Sequence, residues 1–125
     1  MRRRIWDRLF RWATWTCVVL LAVLSLTPGD EMVRTGAPGL LEHFVAYAGA
    51  ASIAMLGYGR RVSGLPIAAL LIAYAGLLEL GQLWVPGRNS AMVDFGFSAA
   101  GVIAGGLFRR PSYRRHRPPV PALCL

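Results

Sequence analysis

The chain is short of cysteine, of charge and, entirely, of lysine. Cys17 and Cys124 are too few and too far apart for a disulfide framework or a cysteine metal site. Charged residues make up 16% of the chain and hydrophobic ones 55%, with a mean hydropathy of +0.46. A water-soluble domain needs more charged surface than that, and a disordered chain needs far less apolar content. At 125 residues there is room for one small domain. What charge there is leans one way: 14 arginines against 6 acids, a formal net charge of +8.

The apolar residues fall in runs: Trp12 to Leu26, Leu40 to Tyr58, Leu65 to Val85 and Ala91 to Phe108. The last three hold 19, 21 and 18 residues. At about 1.5 Å per residue, such lengths approach or exceed a hydrocarbon core of roughly 30 Å. The first run, with 15 residues, needs Leu9 and Phe10 and a snorkelling Arg11 to reach across. Lipid leaves no backbone group unpaired, so each run is expected to be α-helical, and the alternation of a membrane barrel is absent. The expected fold is all-α: a polytopic bundle of four transmembrane helices.

The arginines orient it. Arg2, Arg3, Arg4, Arg8 and Arg11 precede the first run, Arg60 and Arg61 separate the second from the third, and Arg109, Arg110, Arg114, Arg115 and Arg117 follow the fourth. Only Arg34 and Arg88 fall in the other two connections. A split of 12 against 2, alternating from connection to connection, puts both termini in the cytoplasm by the positive-inside rule. The expected localisation is a cytoplasm-facing membrane crossed several times, N-in and C-in. Residues 1–11 are read as a basic cytoplasmic segment, 12–108 as the membrane domain and 109–125 as a disordered, proline-rich basic tail. Arg114-Arg115-His116-Arg117 lacks the folded module and stacking aromatics of a nucleic-acid site, so its expected partners are anionic membrane lipids. A signal peptide is the other reading of the first run, but no small-x-small site precedes Pro28, and removal would break the charge alternation.

Small residues mark where helices approach: Ala46, Ala50 and Ala54, then Ala69, Ala73 and Gly76, then Gly101-x-x-x-Gly105. The same faces would serve a homo-oligomer. Inside the runs, the polar residues share a depth. His43 and Tyr47 lie three and seven residues in from Leu40, Gln82 and Glu79 three and six back from Val85, and Asp94 and Ser98 three and seven past Ala91. That is roughly 5 to 10 Å below the outer surface. Each pair is spaced i,i+3 or i,i+4 and so occupies one helical face. Glu42 and Asp94 also sit in first turns, where the helix dipole favours a carboxylate, and the turn at Pro86-Gly87-Arg88 is expected to hold Arg88 over the group. Ionisable residues within a bilayer are costly and mark sites more often than not. The competing reading is that they are interhelical glue, which suits any one of them better than the set. Tyr74, alone in mid-helix, is expected to be core.

These residues are similar to a pattern in the VanZ-like family of small bacterial integral membrane proteins, named for a member associated with teicoplanin resistance. The resemblance covers Leu26 to Gly106 and rests on Glu42-His43-Phe44 with Tyr47, on Glu79-x-x-Gln82-x-x-x-Pro86-Gly87-Arg88, and on Asp94 and Gly101. The chain departs from the family at Gly39 and Leu40, where an acidic–basic pair is common, and at Ser98, where asparagine is common. The resemblance implies a bacterial membrane protein of about four spans, connected to glycopeptide resistance or envelope physiology. It implies no particular reaction.

Three functional classes follow. The first is a non-catalytic binder of an anionic, lipid-linked cell-wall precursor or a lipoglycopeptide. Arg88 would recognise phosphate or carboxylate, while Glu42, His43, Tyr47, Glu79, Gln82, Asp94 and Ser98 shape the site. The second is an enzyme on a lipid-linked substrate, with His43 or Glu79 as general base, Arg88 stabilising charge and Asp94 a further catalytic candidate. The third, a proton-coupled exporter, fits least, because alternating access favours midplane sites. No cofactor motif or metal-ligand spacing is present, so neither a cofactor nor a metal is expected.

Overall fold

The computed structural model describes residues 2–30, 36, 38–88 and 91–108. Arg34, Asn89, Ser90 and the tail from 109 to 125, with the expectations placed on them, lie outside these residues. Four helices follow in order: α1 Arg2–Leu26, α2 Gly39–Tyr58, α3 Gly64–Gln82 and α4 Met92–Gly106. The described residues contain no strand.

Three of the four, α1, α2 and α3, are long and apolar enough to cross a membrane. The fourth is apolar but has only 15 residues. At about 1.5 Å each these span roughly 22 Å, less than a hydrocarbon core. It is shorter than its apolar run because Ala91 is extended (φ −127, ψ 133) and the pair Gly105-Gly106 has poor helix propensity. Likewise α3 stops at Gln82. Leu83, Trp84 and Val85 bond back three residues in tight turns, leading into Pro86, whose ring disfavours helix in the residue before it.

The first helix departs in the other direction. Its 25 residues begin at Arg2, so the basic stretch forms the opening turns of α1. Arginine is a good helix former and nothing breaks the helix before Pro28. These turns are tied to the end of α2: Arg11 Nε donates to Gly57 O (3.4 Å) and its guanidinium covers the Tyr58 ring, while Trp15 Nε1 donates to Tyr58 Oη (3.0 Å). Asp7 and Arg60 pair at 4.0 Å. Arg4, Asp7, Arg8, Arg11 and Arg61 line a cavity of about 350 Å³ at this end of the bundle.

The solvent preference of the surface is inverted. Trp12, Trp84, Leu65, Leu70, Met92 and Leu107 are among the large apolar side chains left exposed, whereas Thr14, Ser25, Glu79, Gln82 and Ser98 are buried. Water favours the opposite arrangement; hydrocarbon favours this one. Within the bundle α2 and α4 make the most extensive contact, and glycine is the reason. A Cβ at Gly101 would overlap the Phe44 carbonyl, and one at Gly105 the Ala48 carbonyl. Ala50, Ala51, Ala54, Met55 and Val102 fill the core beside this seam. Tyr74, expected to be core, is half-buried against it and donates to Val18 O at 2.6 Å, joining α3 to α1.

Candidate functional site

The polar site forms where the N-termini of α2 and α4 meet the C-termini of α1 and α3. Here the two connections touch. Gly29 N donates to Pro86 O (3.3 Å), and Gly29 packs so closely on the Gly87 carbonyl that a Cβ would overlap it. Gly87 has φ +73, in the left-handed region that favours glycine. This turn sets where the chain goes after α3.

Three helices then deliver one ionisable group each. His43 of α2, Glu79 of α3 and Asp94 of α4 bring a ring nitrogen and two carboxylate oxygens within 4.8 Å of one another. Glu79 is 8% exposed, and His43 and Asp94 are half-buried. Ser98, 1% exposed and one turn on from Asp94, lies 3.3 Å from His43 Nδ1. Tyr47, one turn on from His43, is buried within electrostatic reach of Glu79. Gln82, on the Glu79 face of α3, is buried with its Nε2 unpartnered. Glu42 is half-buried in the first turn of α2.

The Ser98–His43 contact differs from a hydrolytic triad. There the serine engages Nε2 and the acid Nδ1; here the serine is on Nδ1 and buried.

Arg88 has a task that its sequence position did not reveal. Its Nη2 donates to Ser25 O (3.0 Å) and Leu24 O (3.4 Å), while Thr27 Oγ1 donates to Val23 O (2.6 Å). A helix C-terminus leaves its last four carbonyls without partners and carries a partial negative charge. Arg88 and Thr27 satisfy three of these carbonyls in α1, and Arg88 clasps that helix to the α3–α4 turn. Ser25, buried beneath the clasp, gave no signal in the sequence beyond its polarity.

Compared with protein-family profiles, curated proteins and solved structures, the chain matches none. Its function is therefore read from the site itself.

Proposed function

We propose that the chain is a multi-pass protein of a bacterial cytoplasmic membrane that binds the polar head of an anionic, lipid-linked envelope ligand. The observation that carries this reading is the convergence of His43, Glu79 and Asp94 from three helices at one end of the bundle. Groups of this kind are expensive within lipid unless they meet a ligand or one another. They lie a turn or so inside the helix ends, the depth at which a lipid-linked head meets its hydrocarbon chain. The exposed apolar faces around them suit the chain of the same ligand.

The arginine distribution supports four crossings with both termini cytoplasmic; on that topology the site faces the extracytoplasmic side. In that arrangement Leu107 and Phe108 extend the reach of α4. Reporter fusions at each terminus test the topology, and a periplasmic terminus would overturn it.

The residues shared with the VanZ-like pattern support a role in glycopeptide response, the lipoglycopeptide teicoplanin being the second ligand of this class. Binding is tested on the full chain in nanodiscs with a fluorescent polyprenyl diphosphate and with teicoplanin. Saturable binding of either, weakened about tenfold or more by His43→Ala, is expected; a tenfold loss corresponds to about 1.4 kcal/mol. Binding of neither, or equal binding by that variant, sinks the reading.

A further inference from the structure

Two carboxylates and an imidazole, delivered to one place by three helices, are a donor set for a metal ion. We propose that His43, Glu79 and Asp94 form a site for a first-row divalent cation, Mn²⁺ or Zn²⁺, with Ser98 orienting the imidazole.

The donor set fits. Imidazole suits zinc and its neighbours, carboxylates suit manganese, and one nitrogen with two oxygens lies between the two preferences. The distances fit as well. Donor atoms about 2.1 Å from a tetrahedral ion stand about 3.4 Å apart. The three donors lie within 4.8 Å of one another, so the widest pair closes by at most about 1.4 Å, within the reach of side-chain rotation.

The surroundings are built as such sites are. A ligating histidine holds its second ring nitrogen in a hydrogen bond that fixes tautomer and rotation. With Nδ1–H donating to Ser98 Oγ, the Nε2 lone pair is left for the ion. Three protein ligands leave coordination positions open for water or a ligand oxygen. Gln82 supplies a second, independent sign of a ligand: a buried amide whose Nε2 has no partner, on the Glu79 face and one turn nearer the helix end. An oxygen held on the open side of the ion would give it an acceptor. That an ion so placed also grips a diphosphate rests on the function proposed above; the cation site does not.

The test uses the full chain in nanodiscs of neutral lipid, stripped with chelator and titrated with Mn²⁺ under electron paramagnetic resonance. One Mn²⁺ per chain is expected, with nitrogen coupling from an imidazole. His43→Ala removes the coupling, and Glu79→Gln and Asp94→Asn each weaken binding about tenfold or more. Ser98→Ala retains every ligand and lowers affinity about 10- to 100-fold. Asp30→Asn, an exposed acid at the same end, leaves binding unchanged. No stoichiometric Mn²⁺, no nitrogen coupling, or equal binding by Asp94→Asn and Ser98→Ala overturns the proposal and makes the three side chains an internal lock. Polyprenyl diphosphate is then added with and without Mn²⁺. Metal binding without diphosphate binding upholds the cation site and ends the diphosphate as its ligand. Diphosphate binding that survives chelation upholds the ligand reading and ends the ion's part in it.

Discussion

Ser98 Oγ stands 3.3 Å from His43 Nδ1 across the seam of α2 and α4, where the two backbones approach most closely. The closeness has a local cause. Gly101, one turn beyond Ser98, lets α4 rest on the carbonyl of Phe44, the residue after His43. A small residue in one turn thus sets the reach of a hydroxyl in the next.

Ser98→Ala therefore separates site geometry from fold. Interhelical hydrogen bonds in membranes contribute about 0.6 kcal/mol on average, so stability should fall by about that much. A double-mutant cycle with His43→Ala, read by detergent-induced unfolding, should return a coupling of the same size. A coupling of zero would mean that the two groups ignore each other.

Gly101→Ala is expected to cost far more than its single methyl suggests. The added Cβ meets a backbone carbonyl that cannot rotate away, and overpacking of this kind costs about 1 to 3 kcal/mol. Gly49→Ala, in open space on α2, is the control and should stabilise by up to about 1 kcal/mol through helix propensity. Unfolding midpoints of the two variants should move in opposite directions.

Arg88→Ala should loosen α1 at the site end. Hydrogen bonds from a charged donor contribute about 1.5 to 3 kcal/mol, and the C-terminal carbonyls of α1 lose a cation that also suits the helix dipole. Hydrogen exchange should quicken over the last turns of α1 and in the turn around Gly29. Unchanged protection there would refute the clasp.

At the other end, Asp7 sits among Arg4, Arg8, Arg11 and Arg61 and pairs with Arg60. Asp7→Asn removes a negative charge from that group and leaves the guanidinium groups to repel one another. The loss should be larger at about 0.01 M ionic strength than at about 0.15 M, because the Debye length falls from about 30 Å to about 8 Å. Thermal unfolding at the two salt levels measures it. An exposed pair alone contributes only about 0 to 1 kcal/mol, so a salt-independent loss would assign the effect to packing.

The order of the helices was legible because lipid demands long apolar runs, and those runs are continuous. The shared depth of His43, Glu79 and Asp94 was legible too, since helical rise converts residue number into height. Azimuth was harder. Spacing put Tyr47 with His43 and Ser98 with Asp94 on common faces, but the meeting of the three faces depends on how α2, α3 and α4 rotate against one another. A metal-capable set on three separate helices leaves no local spacing to find. The helix ends also escaped, because apolarity does not stop at Gln82 or Gly106, whereas turn geometry and glycine do. The partners of Arg88 depended on a left-handed Gly87 and on carbonyls of a helix far away in the chain.

The position of Asp94 and Ser98 on α4 bears on how the protein is made. The helix that carries them leaves the ribosome after the other three, so His43 and Glu79 are made before their partners exist. A chain halted before Met92 contains every helix long enough to span, yet it has no complete site. The site comes into being when the shortest helix docks.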